Sequence, residues 1–212
     1  MANHKIMLVG CGKMGGAMLE GWLADSSLDA QFTIIEPDHT HLGWASVEPR
    51  VSLFKDCASV IANNSPASTM IVLAVKPQMM DEALAALGEV DNTTSAFLSI
   101  AAGISTNWLK KRLGSDALVL RAMPNTPAAV GKGITALYAD EQNAVCDLAR
   151  QLLSAIGDVV LLDDESLMDA VTAVSGSGPA YLFLLAETMS AAGVKAGLPE
   201  VLAKELAKKK GY

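Results

Sequence analysis

The chain has 212 residues, 51% of them hydrophobic and 18% charged, and a formal net charge of −7. This is ample for a packed core, while the acidic balance argues against non-specific binding to nucleic acid or to an anionic membrane surface, since both need a positive face. Three cysteines, Cys11, Cys57 and Cys146, are odd in number and lack metal-ligand spacing. That fits a reducing compartment, the cytoplasm, better than a disulfide framework, and no metal is expected. The opening MANHKIMLVG holds too short an apolar run for a signal peptide or a membrane span.

In chain order, KIMLV predicts a strand and GCGKMGG a tight turn. Met14, Ala17, Met18, Gly21 and Trp22 then form the i, i+3, i+4, i+7, i+8 stripe of an amphipathic helix. FTII at 32–35, VSLF at 51–54, TMIVLAV at 69–75, AFLSI at 96–100 and ALVLRAM at 117–123 read as further short buried strands. Helical segments lie between most of them, such as Met79, Met80, Ala83, Leu84 and Leu87 after Pro77. Alternating strands and helices imply a doubly wound, mostly parallel sheet with helices on both faces. A helix from about Asp140, its N-cap, to Ile156 is closed by Gly157 and leads to a last strand, DVVLL.

From Asp164 onward every segment reads as helix: ESLMDAVTAV, PAYLFLLAETMSAAGVKAG and PEVLAKELAKKK. The change predicts a boundary near residue 163, with a dinucleotide-binding unit over 1–163 and a helical unit over 164–212. Residues 170–194 are too interrupted for a membrane span, by Pro179, Glu187 and four Ser or Gly at 175–178. The run from Leu182 and Phe183 through Leu185, Ala186, Met189 and Ala192 covers more than one helix face. Such a helix needs cover on nearly all sides, and a partner subunit is the expected remainder of that cover.

Gly10, Gly12 and Gly15 form a G-x-G-x-x-G directly after a strand and at the head of a helix. In that context the first glycine allows the turn, the second admits a pyrophosphate, and the third packs helix on strand. Glu36, about 20 residues beyond, stands at the end of the second strand, where a carboxylate accepts from ribose hydroxyls and repels a 2′-phosphate. That favours NAD(H) over NADP(H). His39 and His41 receive no role. Lys76-Pro77 ends the strongest strand, and SIAAGIS and RAMPNTPAAVGKG follow the next two, so successive loops converge on one sheet edge. The cluster Asp163, Asp164, Glu165 reads as a solvated loop and helix N-terminus. Zinc-site spacing and a G-x-S-x-G elbow are both absent, which suits hydride transfer, where the cofactor carries the reaction.

VGCGKMGGAM, VLAVKPQ, SIAAGIS, RAMPNTPAAVGKG and above all MDAVTAVSGSGPAYLF resemble the pyrroline-5-carboxylate reductases, in order, from about residue 5 to about 206. The resemblance implies a Rossmann-type domain, a helical domain that dimerises with a partner's, and NADPH- or NADH-dependent reduction of a cyclic imine, Δ1-pyrroline-5-carboxylate, to L-proline. It implies that Val9, Gly10, Cys11, Gly12, Lys13, Met14 and Gly15 cradle the pyrophosphate, and that Ala74, Val75, Lys76 and Pro77 line the cofactor. Ala101 would approach the nicotinamide side. Asp56 would stand where some members have a cofactor-contacting Asn, and Ser175, Gly176, Ser177 and Gly178 would border the substrate. The Ser/Gly stretch is read as an open turn that lets backbone approach the imine, with Pro179 starting a helix whose free N–H groups favour its carboxylate.

Members of the family continue with further helices and a Thr-Ser-Pro-Gly-Gly-Thr-Thr stretch, whereas this sequence ends LAKELAKKKGY. The helical unit is therefore expected to be truncated relative to the family, and no catalytic acid is assigned. The alternatives are a non-catalytic dinucleotide-binding or assembly module, an inactive shortened reductase, or another imine or β-hydroxyacid-type reductase on the same fold.

Overall fold

The computed structural model describes residues 4–63, 67–88 and 94–209, so the closing Lys210, Gly211 and Tyr212 lie outside the described residues. Apolar runs too short for helices form a sheet of eight strands: β1 (His4–Val9), β2 (Ala30–Ile35), β3 (Val51–Phe54), β4 (Met70–Leu73), β5 (Ala96–Ser99), β6 (Val119–Met123), β7 (Gly133–Ala139) and β8 (Gly157–Leu162). Their order is β3-β2-β1-β4-β5-β6-β7-β8, and every pairing is parallel except β6 with β7. β4 and β5 are buried along their whole length, as strands covered on both faces must be.

Register sorts the strand residues into two layers. Ile6 pairs with Met70 and Leu8 with Val72, and these face α1 (Lys13–Ala24) and α5 (Ala144–Ser154) through Met18, Leu19, Trp22 and Leu152. Met7 pairs with Ile71 and Val9 with Leu73, and these face α2 (Cys57–Ala62), α3 (Met80–Leu87) and α4 (Thr106–Leu113) through Val60, Met80, Leu84 and Leu109. Trp22 is the largest side chain of the first layer. Its ring stacks on Phe32 at 5.5 Å, and its indole N–H donates to the Leu152 carbonyl at 2.8 Å, tying α1 to α5.

Three expectations are corrected. The sequence reading did not anticipate β7, whose Gly-led run GITALYA follows a turn at Gly131 with φ +67 and lies directly behind the loop RAMPNTPAAVGKG. The helix expected from Asp140 starts at Ala144, because Asn143 accepts the N–H groups of Val145 and Cys146. Asp140 is instead engaged by Lys110 and by the Tyr138 hydroxyl, which hold its carboxyl below the usual range. The stretch Ser175–Gly178 is not an open turn. A 3-10 turn at Glu165–Leu167 runs into α6 (Met168–Val171), then a π-helical segment at Thr172–Gly176, and, after Ser177, α7 (Gly178–Lys195). The Ser177 N–H closes the wide turn on the Thr172 carbonyl at 2.8 Å.

α7 turns at Gly197 and packs back against α8 (Glu200–Lys209), with Gly193 close to Ala203. Its first half is uncovered within the single chain, with Phe183 69% and Leu184 63% exposed. Among the described residues no helix is long and apolar enough to cross a membrane.

The Trp22 bond separates packing from hydrogen bonding. Trp22→Phe keeps the ring stack but leaves the Leu152 carbonyl without its donor, and a loss of about 1–3 kcal/mol is expected. Trp22→Ala also empties the core and is expected to lose about 3–5 kcal/mol. Urea unfolding of both variants checks the order.

Candidate functional site

β1 is flanked by β2 on one side and β4 on the other, so the loop after it opens at the switch point where open α/β sheets take their ligands. Gly10 turns the chain with φ +89, and its N–H donates to the Ile35 carbonyl. A Cβ on Gly10 would fall 2.9 Å from the carbonyl oxygen of Ala74, and one on Gly15 would fall 2.4 Å from that of Gly10. Gly12 differs, since nothing lies within 4 Å of its missing Cβ. It is the N-cap of α1, so open space adjoins the helix turn whose N–H groups lack intrahelical acceptors. Val9 and Cys11 are buried, Met14 is half-buried and Lys13 is exposed.

Glu36 follows β2, but its carboxylate turns back to the glycine loop. Oε2 accepts the Cys11 N–H at 2.7 Å and Oε1 accepts the Asp38 N–H at 3.2 Å. Each oxygen retains a second lone-pair site for a hydroxyl donor. His41 Nε2 lies 2.8 Å from the Cys11 carbonyl oxygen, which only accepts, so that nitrogen carries the proton. The two peptide units that meet at Cys11 are thus each held by a side chain. His39 Nε2 donates in the same way to the Phe54 carbonyl at 2.9 Å. The sequence reading gave neither histidine a role, because two loop histidines carry no signal of a backbone partner. A cleft of about 400 Å³ runs along the exposed side of α1, bordered by Gly12, Lys13, His41 and Trp44. Burial first, then Glu36 and Glu20, pushes the Cys11 thiol up to about 12, so it is no nucleophile near neutral pH.

Asp56 is exposed and caps α2: its Oδ1 accepts the hydroxyl and the N–H of Ser59, which hold its carboxyl below the usual range. The Ala74 N–H donates to the Val9 carbonyl at 2.8 Å. Val75 is half-buried, and exposed Lys76 and Pro77 open a 3-10 turn. Ala101 is buried just past β5, its N–H on Ser99 Oγ at 3.3 Å. Because β1, β4, β5 and β6 run parallel, their carboxyl ends lie along one edge.

The helical segment reaches that edge through two contacts, at the last residue of β6 and just beyond it. Asn125 Nδ2 donates to Ser175 Oγ at 3.3 Å, and a Cβ on Gly176 would fall 2.7 Å from Met123 Cε. Ser175, Gly176, Ser177 and Gly178 are all half-buried there. Its base is anchored by Glu165, expected in a solvated loop. Glu165 instead accepts the Thr106 N–H at 2.8 Å, the Thr106 hydroxyl at 2.6 Å and Arg121 Nη1 at 3.0 Å. The carboxylate therefore sits at the head of α4, with a cation from β6 beside it. An arginine inside the apolar run VLRAM was the available signal, since a charge buried in a strand requires a partner.

Comparison with known proteins agrees with this arrangement. Residues 165–210 match the family model described as pyrroline-5-carboxylate reductase dimerisation, and residues 5–103 that described as NADP oxidoreductase, coenzyme F420-dependent. A pyrroline-5-carboxylate reductase of Pseudomonas aeruginosa is 39% identical over 208 residues, covering 97% of this chain and 75% of that protein. The structure of a pyrroline-5-carboxylate reductase from Coxiella burnetii superposes with a TM-score of 0.84 at 27% identity, over 99% of this chain and 77% of that one. A Plasmodium falciparum pyrroline carboxylate reductase with NADP bound gives 0.80 at 25% identity, over 99% and 76%.

Glu165→Ala leaves the Arg121 side chain, only 7% exposed, without its carboxylate. A loss of about 3–5 kcal/mol is expected from such an uncompensated buried charge, and Arg121→Met in the same chain should restore part of it. Denaturant midpoints at unchanged slope provide the check.

Proposed function

The chain belongs to the pyrroline-5-carboxylate reductase family, and we propose that it reduces Δ1-pyrroline-5-carboxylate to L-proline with NAD(P)H, the last step of proline biosynthesis. One observation carries the reading. The glycine loop after β1 and the Ser175–Gly178 segment meet the same edge of the sheet, the first through Ala74 and the second through Asn125 and Met123.

The residues present fit a dinucleotide. Open space at Gly12, beside the unpaired N–H groups and positive end of α1, suits a pyrophosphate held by Val9 to Gly15. Ala74 to Pro77 and Ala101 line the path from there toward β5. Asp56, at the far side of β2, faces the adenosine end. When bound, the reduced nicotinamide supplies a hydride to the C=N carbon of the substrate, and a protonated imine is the better acceptor. Ser175 to Gly178 border that imine; because α7 continues almost directly from the π-helical segment, its first turn is not the free helix end expected at Pro179 and is given no part in holding the carboxylate.

The direct test is imine-dependent oxidation of NAD(P)H by the purified chain. Turnover with Δ1-pyrroline-5-carboxylate is expected. Cofactor binding without turnover would favour a dinucleotide-binding or assembly module, and turnover only with a different imine or a β-hydroxy acid would favour another reductase.

Within NAD(P)H, Glu36 favours NADH, because its carboxylate repels a 2′-phosphate. NADH should bind the unmutated chain more tightly than NADPH. Glu36→Ser should narrow or reverse the difference by about tenfold or more, the size of one charge-assisted hydrogen bond. Dissociation constants for both cofactors at one ionic strength decide it, and tighter NADPH binding before mutation would count against Glu36 as the discriminator.

We also infer a homodimer built through residues 164–206, with 1–163 as the dinucleotide-binding domain and 164–212 as the assembly domain. The support is the uncovered apolar half of α7, where each large side chain gains roughly 1.5–3 kcal/mol on full burial. Light scattering is expected to give at least twice the chain mass, and a stable monomer at micromolar concentration would overturn it. Three buried cysteines, odd in number and without metal-ligand spacing, support the cytoplasm as its place of work.

A further inference from the structure

Asn125 is 8% exposed and spends its side chain on two distant segments. Its Oδ1 accepts the N–H of Ile134 at 2.9 Å, which fixes the amide orientation, since a backbone N–H cannot accept. Nδ2 is thereby turned to Ser175, where it donates to Oγ at 3.3 Å and approaches the carbonyl oxygen at 3.5 Å. The Ser175 hydroxyl is an acceptor in this pair, so its own proton is left over. Thr172 in the preceding turn and Thr188 farther along α7 give their hydroxyl protons back to the carbonyls of Met168 and Leu184. Among the described residues no acceptor takes that of Ser175. Gly176, against Met123, keeps the segment close enough for the pair to form.

We propose that Asn125 is a positioning residue that sets the polarity of the Ser175 hydroxyl, so that its proton is presented to a carboxylate oxygen of the substrate. The inference rests on the reading of Ser175 to Gly178 as the substrate border. An acidic side chain of the same shape inverts the arrangement: Asn125→Asp still accepts from Ile134, but its second oxygen takes the Ser175 proton for itself.

The experiment is a double-mutant cycle over Asn125→Asp and Ser175→Ala. It reads the KM for Δ1-pyrroline-5-carboxylate, the Kd of L-proline on the NAD-loaded chain by calorimetry, and the Kd of NADH. Each single variant is expected to weaken substrate and L-proline by about tenfold, the size of a hydrogen bond to a charged group, with NADH binding unchanged. In the Ser175→Ala background Asn125→Asp should add less than about threefold, because its partner is gone. Equal effects of Asn125→Asp in both backgrounds would overturn the proposal, since its charge alone would then be responsible. A silent Ser175→Ala would instead remove the substrate border itself. A wild-type chain that neither turns over nor binds L-proline would remove the proposed function and this inference with it. If the aspartate variant does not fold, Asn125→Ala in the same cycle removes the donor without adding charge, and the same non-additivity is required.

Discussion

The Gly10 carbonyl is the point on which the architecture turns. It lies where any Cβ at position 15 would strike it at 2.4 Å, while a Cβ at Gly10 would strike the Ala74 carbonyl at 2.9 Å. Three backbones, from the end of β1, the head of α1 and the end of β4, therefore meet with no side chain between them. This contact sets how α1 leaves the sheet. Trp22, farther along the same helix, then meets Phe32 below it and Leu152 beside it. Gly12, free of that crowding, leaves the α1 N-terminus open.

Much of this was legible in the sequence because local and long-range demands agree there. MIVL is apolar at every position and AFLS at all but its last, Ser99, so strands buried on both faces were the economical reading. The glycine spacing likewise has one good backbone solution. Legibility fails where residues of similar propensity compete and a distant partner decides. Asp140 and Asn143 are both good N-caps, and Lys110 and Tyr138 recruit the first, leaving the second to start α5. Glu165 looked like one of three solvated acids because its partners, Thr106 and Arg121, lie 59 and 44 residues away. Ser and Gly at 175–178 have the composition of a loop, and the chain nonetheless stays helical through them. Composition reports what a segment tolerates. Tertiary contact selects among the options.

The electrostatics divide into two regions with different tasks. At the carboxyl edge of the sheet, Glu36 and His41 grip the two peptide units that meet at Cys11, the first by the Cys11 N–H and the second by the Cys11 carbonyl. This leaves the amides that follow it to the open side of the loop. At the junction with the helices, the ion pair of Glu165 and Arg121 is largely shielded from water and also caps α4. A buried pair of this kind adds little net stability over apolar replacements, but it tolerates few alternative geometries. It is a device for fixing where the helical segment begins rather than for holding the fold together.

The π-helical segment at Thr172–Gly176 has a consequence for how α7 is aimed. A π turn accommodates one more residue than an α turn, so it offsets everything downstream by about 100° about the helix axis. Rewound as α, Thr172–Gly176 would swing Phe183, Leu184 and their neighbours to a different azimuth while leaving the sheet untouched. The five residues beside Met123 and Asn125 thus act as a phase-setting joint, like the keyway on a shaft. Whatever seats on the apolar face of α7 is indexed to the winding of a segment that also borders the end of β6.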